Sequence, residues 1–357
     1  MKFLRTLDPF ITFPLLGLAG FSLSLIYSTV PGLFGDQLTF FFIGFIFYVI
    51  SGSMDAKIIR NFAVFFYLLS IFLLLVSFFG PSVRGASRWI YIGSKGFQPS
   101  EVVKPFLIIA MAALIESRPP NNIKNILLSL VMILIPALII FKQPDLGNVI
   151  IYLMFFSGMI FQAGISIYLV GATVIMGIFL IPFSWHFLQT YQRNRILSFL
   201  NPYNDPQGAG YNALQAIIAI GSGQLMGLGL GRGTQSHLLF LPEHHTDFIF
   251  ASLGEEFGMV GGILLLIFFF ILLFRILKIC LDTHDNFYRF ISLGIFLQIL
   301  SQLFINVGMN IGLLPITGIT LPLVSYGGSS VISTMLGLGF VSAISRDRRG
   351  QVPLVIK

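Results

Sequence analysis

Ten long apolar runs follow one another along this chain of 357 residues, and they constrain its fold more than any other feature. An α-helix rises about 1.5 Å per residue, so roughly 20 apolar residues cross the hydrocarbon core of a bilayer. The runs lie at 10–30, 37–52, 61–79, 102–117, 124–141, 146–162, 165–184, 248–275, 287–310 and 329–345. They are too long for barrel strands, and helices satisfy their own backbone hydrogen bonds in lipid. The sequence therefore predicts an all-α polytopic membrane protein with ten transmembrane helices, folded as a single integral membrane domain over residues 1–357.

The composition excludes several other classes of protein. Charged residues make up 10% of the chain, whereas a soluble domain carries about 25%. The single cysteine, Cys280, excludes a disulfide framework and any metal site built on several thiolates. The pI of about 9.6 is compatible with nucleic-acid binding, but excess Lys and Arg in a membrane protein first indicates topology and contact with anionic membrane lipid. We therefore expect no nucleic-acid partner.

The basic residues orient the chain. With the N-terminus inside, thirteen of the 21 Lys and Arg residues fall on the inner side, including the tail Arg346-Asp347-Arg348-Arg349. Cytoplasmic segments carry such an excess, so the sequence predicts that both termini are cytoplasmic. The eight outer cations are Arg84, Arg88, Lys95, Lys104, Lys142, Arg193, Arg195 and Arg232. Each could be a solvated loop residue, but as a set they indicate an anion on the outer surface, such as a lipid-linked phosphate or diphosphate.

Two outer segments, 80–101 and 185–247, are longer than simple connections require, and we expect them to form the active-site face. The first is rich in glycine and aromatic residues and is predicted to fold back on the helices. Trp89 is either an interfacial belt residue or part of a site. Gln98-Pro-Ser-Glu101 is typical of a helix start, which places Lys104 on the same helix face as Glu101. These two charges form either a plain ion pair or part of a functional site at the membrane boundary.

The second outer segment, which joins the seventh and eighth spans, ends in Glu243-His-His-Thr-Asp247. An acid at the start of a span is either an N-terminal cap or a carboxylate placed for proton transfer. Burial beside Phe248 would raise the pKa of Asp247, and neighbouring cations would lower it. Adjacent histidines are a poor chelate and the helical His-Glu-x-x-His spacing is absent, so the sequence predicts no metal site here.

Earlier in the same segment, 215–224 reads as a short amphipathic or re-entrant helix. Alternate glycines from Gly227 to Gly233 flank Arg232 and could hold a phosphate through backbone N–H groups. The spacing of nucleotide-binding loops is absent, so a nucleotide is not expected.

Further polar groups lie where apolar residues dominate. Glu255 and Glu256 fall inside the eighth span, where carboxylates are costly and are either functional or paired with an Arg or with loop backbone. At the corner between the fifth and sixth spans, Asp145 could orient Lys142 or cap the following helix. Repeated Gly and Pro in 306–330 predict unwound, re-entrant backbone, which is tolerated at membrane depth only inside protein or along a cavity.

Several of these motifs together resemble the SEDS family (shape, elongation, division and sporulation), more its RodA-like branch than its FtsW-like branch. They are Trp89-Ile with Gln98-Pro-Ser-Glu101, Lys142-Gln-Pro-Asp-Leu-Gly147, Asn201-Pro with Asp205-Pro and Gly210-Tyr211, Ile218-Ala-Ile-Gly-Ser-Gly223, Pro242-Glu-His-His-Thr-Asp-Phe-Ile-Phe250, and Leu321-Pro with Ser325-Tyr-Gly-Gly-Ser-Ser330. The resemblance covers essentially the whole chain. It implies ten transmembrane helices in the inner (cytoplasmic) membrane and a peptidoglycan glycosyltransferase that polymerises lipid II into β-1,4-linked glycan strands. It also implies a complex with a class B penicillin-binding protein, whose transpeptidase crosslinks the strands.

The resemblance also implies roles for single residues. The essential acid of the family falls on Asp247, and positions of its outer cavity fall on Glu101, Lys104, Lys142 and Asp145. Additional candidates for substrate contact are Arg88, Trp89, Arg193, Arg232, Glu243 and Ser325. We expect no dedicated cofactor, although a divalent cation, Mg²⁺ or Mn²⁺, could help to neutralise the diphosphate. Two alternatives remain at this point: a lipid II flippase, and a non-catalytic scaffold for the transpeptidase.

Overall fold

The computed structural model describes residues 7–81, 88–93, 95–165, 171, 186, 190–200 and 210–351. Most of these residues are helical. The helices are α1 (Pro9–Thr29), α2 (Phe34–Ser53), α3 (Ala56–Asn61), α4 (Ala63–Val76), α5 (Pro99–Val102), α6 (Lys104–Ser117), α7 (Ile123–Lys142), α8 (Leu146–Gln162), α9 (Thr190–Leu200), α10 (Tyr211–Ser222), α11 (Thr234–His237), α12 (Ile249–Asp282), α13 (Asn286–Asn310) and α14 (Gly328–Gln351). Short 3₁₀ turns at Pro31–Leu33 and Ser77–Phe79 extend two of the helix ends.

The apolar runs of the sequence become helices wherever the structure describes them. Within the described residues, six helical stretches are long and apolar enough to cross a membrane: Pro9–Thr29, Pro31–Ser53, Ile123–Lys142, Ile249–Asp282, Asn286–Asn310 and Gly328–Arg346. Ala63–Phe79 and Leu146–Gln162 are shorter apolar helices, and the predicted run 102–117 lies mainly in α6. The run 165–184 lies almost entirely outside the described residues. The chain is a multi-pass membrane protein, and the count of ten spans stays a prediction.

A small hairpin departs from the predicted all-α class. Strands β1 (Ile90–Ile92) and β2 (Lys95–Phe97) pair antiparallel, with Ile90 opposite Phe97. The Trp89 ring lies against Gly96, where an added β-carbon would meet its Cε3 at 3.1 Å. Part of the segment that is rich in glycine and aromatic residues therefore forms a two-stranded ribbon. The backbone N–H of Gln98 donates to Ser329 Oγ at 2.9 Å, which attaches the end of the hairpin to α14.

The part of α14 from Gly328 to Arg346 is almost wholly buried, and α14 packs closely against α2. Small residues permit this approach, because a β-carbon on Gly339 would lie 2.5 Å from the Tyr48 carbonyl oxygen and closer still to Ser51 Oγ. Ser51 Oγ also donates to the Leu336 carbonyl of α14 at 3.1 Å. Helix α12 packs on α1 and on α13, which in turn packs on α6 and α8. The buried helices α13 and α14 thus carry the segment between them, 311–327, into the interior.

Helix α12 is interrupted at Gly258, whose φ of 65° and ψ of −163° are not helical. The segment 224–229 completes the broken hydrogen-bond ladder. The N–H groups of Met259 and Val260 donate to the carbonyls of Gln224 and Leu225 at 2.9 and 3.1 Å. In the reverse direction, the carbonyls of Glu255 and Glu256 accept from the N–H groups of residues 228 and 229 at 2.9 and 3.0 Å. Backbone groups that a helix break would leave unpaired are therefore satisfied by this adjoining segment.

The close packing of α2 on α14 predicts that one methyl group added at position 339 lowers the stability of the protein. Gly339→Ala should lower the free energy of unfolding by roughly 1–3 kcal/mol, because Ser51 and the backbone of α2 have to move. Gly20→Ala in α1 is the matched control, since an added β-carbon there meets nothing within 4 Å. Thermal unfolding of both purified variants in detergent measures the difference. An equal midpoint for the two variants would contradict the close contact.

Candidate active site

Asp247 lies in a tight non-helical turn between α11 and α12. The turn is closed by the Glu243 carbonyl, which accepts from the N–H groups of Thr246 and Phe248 at 3.1 and 3.2 Å. Glu243 itself has a φ of 53°, in the left-handed region that non-glycine residues seldom adopt. Helix α12 then begins at Ile249. Asp247 therefore stands ahead of the helix and is partly exposed.

Four successive carbonyl oxygens in this turn accept hydrogen bonds from other parts of the chain. His244 O accepts from Ser252 Oγ at 3.2 Å, and His245 O accepts from the Tyr326 N–H at 2.8 Å. Thr246 O accepts from Ser325 Oγ at 2.6 Å. Asp247 O accepts from the side-chain amides of Asn306 and Asn310 at 2.9 and 3.1 Å, respectively. Residues 244–247 are thus held in place by donors from α12, α13 and the segment 311–327.

The segment 311–327 lies beside the Asp247 carboxylate. A β-carbon added to Gly318, which has a φ of 78°, would lie 3.5 Å from Asp247 Oδ2 and 3.8 Å from Arg195 Nη1. On the other side of this segment, a β-carbon on Gly147 would meet the Thr317 carbonyl at 3.2 Å. The segment is non-helical, as the Gly and Pro residues predicted, and its residues 319 and 321–325 are buried. It places the carboxylate, a guanidinium and the start of α8 around one short stretch of backbone.

The electrostatic environment raises the pKa of Asp247 to about 6. Burial is the largest cause, and the negative charge of Glu243 acts in the same direction. The cations Arg195 and Arg88 and a hydrogen bond from Thr246 oppose the increase. A carboxyl group with a pKa near neutrality can both accept and release a proton at physiological pH. This environment suits a general base.

The two arginines of α9 have different surroundings. Arg193 donates to the His186 carbonyl at 3.0 Å, whereas Arg195 lies near Asp247. Residues two apart on a helix point in nearly opposite directions, so the two guanidinium groups cannot face the same point. The sequence predicted substrate contact for Arg193, whereas it indicated Arg195 only as one of the eight outer cations. The structure gives Arg195 the position next to the carboxylate.

A buried charge pair lies at the junction of α5 and α6. Lys104 is 0% and Glu101 6% exposed, and Lys104 Nζ donates to Glu101 Oε1 at 2.7 Å. The other oxygen of Glu101 accepts from the Gln302 amide of α13 at 3.5 Å. Helix α5 begins at Pro99 with Glu101 in its first turn, so the predicted helix start and the shared face are confirmed. The pair is compensated within the protein interior.

Asp145 organises the neighbouring corner. Its side chain caps α8 by accepting from the Asn148 N–H at 3.2 Å. Its other oxygen accepts from the side chains of Gln98, Ser100 and Asn148 at 2.9, 3.3 and 2.9 Å. Of the two roles that the sequence left open for Asp145, capping is confirmed. Lys142, at the end of α7, is exposed.

The remaining predicted site residues are more dispersed. Ser325 is buried, and besides donating to Thr246 O it accepts from the Leu321 N–H at 2.8 Å. Trp89 belongs to the hairpin, and Arg232 is exposed in the loop before α11. Residues 201–209, which include the predicted Asn201-Pro and Asp205-Pro turns, and Arg84 lie outside the described residues. Substrate contact by Trp89, Lys142, Arg232 and Ser325 stays a prediction.

The two carboxylates inside α12 bind loop backbone. Glu255 accepts from the N–H groups of Gln235 and Ser236 at 2.7 and 3.0 Å and from Ser236 Oγ. Glu256 accepts from Ser28 Oγ at 2.6 Å and contacts His237 Nε2 at 2.9 Å. Pairing with loop backbone, one of the predicted alternatives, is therefore confirmed for Glu255. The N–H groups of residues 228, 229 and 231 bond to α12 or Ser28, so these three donors, which could have cradled a phosphate, are engaged inside the protein.

The two histidines before Asp247 are not arranged as a metal site. Burial lowers the pKa of both His244 and His245. His244 Nδ1 lies 3.1 Å from the Leu241 carbonyl, and the His245 ring packs edge-on against Tyr326. Among the residues that the structure describes, no three His, Cys, Asp or Glu side chains are grouped to hold a metal ion.

Sequence reasoning missed a stripe of buried amides on α13, of which Asn306 and Asn310 reach the candidate site. Gln298, Gln302, Asn306 and Asn310 recur every four residues along α13 and are all buried. This spacing places side chains on one face of a helix, and a stripe of amides on an otherwise apolar face was a visible signal. Gln302 contacts Glu101, while Asn306 and Asn310 hold Asp247. The stripe connects the buried charge pair to the catalytic candidate.

Comparison with known proteins agrees with this architecture. Residues 9–350 match the family model described as cell cycle protein, FtsW/RodA/SpoVE. The chain belongs to this family.

Two relatives show how far the similarity extends. The peptidoglycan glycosyltransferase MrdB of Escherichia coli K12 is 39% identical over 349 residues, which cover 96% of this chain and 94% of MrdB. The probable peptidoglycan glycosyltransferase FtsW of Haemophilus influenzae is 39% identical over 287 residues, which cover 78% of this chain and 72% of FtsW. Both alignments include most of the chain.

Solved structures share the fold. A chain from the study "Structural coordination of polymerization and crosslinking by a peptidoglycan synthase complex" aligns with a TM-score of 0.83 at 28% identity, covering 96% of this chain and 98% of the other. The rod shape determining protein RodA of Thermus thermophilus aligns with a TM-score of 0.73 at 27% identity, covering 96% and 97%.

The raised pKa of Asp247 predicts a pH-dependent effect on stability. A carboxyl group whose folded-state pKa is about 6 instead of 3.8 stabilises the fold fully below pH 3.8 and loses that contribution as the pH rises to 6. Asp247→Asn mimics the neutral form, so it should raise the free energy of unfolding at pH 8, by at most about 3 kcal/mol. Thermal unfolding at pH 8 and pH 5 measures this, and the gain should shrink at the lower pH. A variant less stable than wild type at pH 8 would contradict the electrostatic assignment.

The buried pair predicts strong coupling between its two members. Glu101→Gln and Lys104→Met each leave one charge uncompensated and should each cost roughly 3–5 kcal/mol of stability. The double variant should cost clearly less than the two single costs combined. Lys95→Met is the control, because the Lys95–Asp36 ion pair is 2.8 Å long but exposed, and such pairs contribute roughly 0–1 kcal/mol. Additive losses for Glu101 and Lys104 would show that they do not act as a pair.

Proposed function

We propose that this protein is a peptidoglycan glycosyltransferase that polymerises lipid II into β-1,4-linked glycan strands at the outer face of the cytoplasmic membrane. The proposal is supported by the peptidoglycan glycosyltransferase MrdB, which this chain matches over nearly its full length. The observation that carries the mechanism is the position of Asp247, a carboxyl group with a raised pKa near Arg195 and Arg88.

The membrane topology forms part of the proposal. Ten spans with both termini in the cytoplasm place the α1–α2 connection, the hairpin, the Asp247 turn and the segment 311–327 on the outer side. Structure supports the grouping of these parts, since Lys95 of the hairpin pairs with Asp36 of α2, and Tyr326 bonds to His245. Residues 1–357 then form one integral membrane domain whose outer segments 80–101 and 185–247 face the substrate.

Asp247 acts in this mechanism as the general base. It removes the proton from the 4-hydroxyl of the acceptor sugar as that oxygen attacks the anomeric carbon of the donor. The bond from the anomeric carbon to the diphosphate breaks in the same displacement, so the α-linked donor yields a β-linked product. The diphosphate is a good leaving group and needs no protein acid comparable to that of a glycosidase.

Cations near Asp247 stabilise the charge on the departing diphosphate. Arg195 and Arg88 are the first candidates because both act electrostatically on Asp247. The buried Nε of Arg88 has no hydrogen-bond partner among the described residues. Arg193, Arg232 and Lys142 would contact the diphosphate or sugars farther from the reacting atoms, and Trp89 and Glu243 would line the sugar site. A Mg²⁺ or Mn²⁺ ion would enter together with the diphosphate.

A class B penicillin-binding protein is the proposed partner. The matched chain with a TM-score of 0.83 comes from a study of a peptidoglycan synthase complex that coordinates polymerisation and crosslinking. A glycan strand produced on the outer surface needs a transpeptidase there to crosslink it. The two activities are therefore expected to reside in one complex.

Purified protein with its transpeptidase should convert lipid II into glycan strands, and Asp247→Asn should lower the rate by at least about 100-fold, because proton removal contributes roughly 10²–10⁴-fold. Asp36→Asn, a change of the same kind at an exposed carboxylate, should retain near-normal activity. Product length on gels and lipid II consumption are the measurements. Leaflet exchange of lipid II without polymer would support a flippase, and polymer from Asp247→Asn would refute the base assignment.

A further inference from the structure

The side chain of Asn310 occupies a gap in the backbone at the start of α12. Its Nδ2 donates to the Asp247 carbonyl at 3.1 Å, and its Oδ1 accepts from the Ala251 N–H at 3.1 Å. In a continuous α-helix, the carbonyl of residue 247 and the N–H of residue 251 would bond directly to each other. The amide of Asn310 therefore stands between the two groups that would otherwise form the next helical hydrogen bond.

This insertion determines where α12 begins. The Ala251 N–H also donates to the Phe248 carbonyl at 3.0 Å, which closes a tight turn after Asp247. The helix starts at Ile249, and Asp247 keeps an orientation in which its carboxylate lies beside Gly318 and Arg195. A helix extended by this hydrogen bond would instead make Asp247 its N-cap residue and change the direction of the carboxylate.

Asn306 holds the same turn through a second set of hydrogen bonds. Its Nδ2 donates both to the Asp247 carbonyl at 2.9 Å and to the Ile319 carbonyl at 2.7 Å. One amide group thus holds the Asp247 turn against the backbone that contains Gly318. Asn310 Nδ2 also donates to the Asn306 backbone carbonyl at 2.8 Å and to Asn306 Oδ1 at 3.4 Å, so the two side chains form one connected network on α13.

We propose that Asn310, supported by Asn306, is a positioning residue for the glycosyl transfer: its amide interrupts the start of α12 and so aims the Asp247 carboxylate at the acceptor hydroxyl. This rests on the proposed function of Asp247 as the general base. The position requires one donor and one acceptor on a short side chain. Asparagine supplies both, leucine neither, and serine is too short to bridge the two backbone groups.

The test compares Asn310→Leu with Gln298→Leu. Gln298 is a buried amide on the same face of α13, three turns away, so its replacement is a matched change outside the Asp247 turn. Glycan synthesis is measured at saturating lipid II over pH 5–9, with wild type and Asp247→Asn alongside. Asn310→Leu should lower the maximal rate at least about tenfold, because small displacements of a reacting group are costly. Gln298→Leu should retain the wild-type rate to within about threefold, because roughly 18 Å of helix separates Gln298 from Asn310 at the Asp247 turn and sites that far apart usually act independently.

The pH profile separates positioning from loss of folded protein. Wild-type activity should fall as the pH drops through about 6, where Asp247 becomes protonated. In Asn310→Leu the freed backbone groups bond to each other, the helix extends, and its N-terminus favours the anionic carboxylate, so the midpoint should move to lower pH by about 0.5 or more. The groups facing Asp247 are Glu243, Arg195, Arg88 and Thr246, and none of them is altered in the variant. A smaller amount of folded protein would lower the rate by the same factor at every pH and leave the midpoint of the profile unchanged.

Asn310→Ser provides a second variant with a small polar side chain, and it should move the profile in the same direction. A normal rate with an unshifted midpoint in both Asn310 variants would overturn the proposal while leaving the role of Asp247 intact. A lowered rate with an unshifted midpoint would reduce Asn310 to a structural residue and also overturn it. Activity in Asp247→Asn would instead overturn the proposed function itself.

Discussion

The four successive carbonyls of residues 244–247 are the constraint on which the arrangement around Asp247 depends. At the boundary of a membrane, a backbone carbonyl that has no helical hydrogen bond needs another hydrogen-bond donor, because neither lipid nor a dry protein interior provides one. Each of these carbonyls accepts from an identified group: Ser252, Tyr326, Ser325, and the amide pair of α13. The turn before α12, the end of α13 and the segment 311–327 are consequently fixed by the same set of bonds. Moving any one of them would expose several unsatisfied carbonyls at once.

The same end of the protein contains two groups of charged side chains that differ in their exposure to solvent. The Glu101–Lys104 pair is fully enclosed and neutral as a unit, whereas Asp247 is partly exposed and near two arginines. The amide stripe of α13 reaches both, through Gln302 at one level and Asn306 one turn farther along. Neutral amides are suited to this position because they bond to both carboxylate and carbonyl oxygens without adding a charge that would have to be desolvated. The enclosed pair and the Asp247 turn are thus both bonded to the same face of α13.

Much of this architecture could be predicted from the sequence, because it depends on local pattern. Apolar runs identified the helices, Gly and Pro identified the unwound stretch after Asn310, and the short spacing from Glu101 to Lys104 indicated that these two charges meet on one helix face. The hairpin around Gly96 was not predicted, since its strands are only three residues long and lie inside a loop. Arg195 could not be preferred over Arg193 without knowing how α9 is rotated. The roles of Ser325 and the α13 amides depend on contacts between segments more than 50 residues apart in the chain, which no local pattern contains.

The break at Gly258 has a mechanical consequence. The carbonyls of Glu255 and Glu256 bond to the N–H groups of residues 228 and 229. The part of α12 before Gly258 is therefore attached to the preceding loop by backbone hydrogen bonds. Glu255 and Glu256 add side-chain anchors to the same loop. A displacement of residues 224–237 would therefore move the part of α12 before Gly258, and the Asp247 turn that precedes it, without requiring the same movement of the longer part after the glycine.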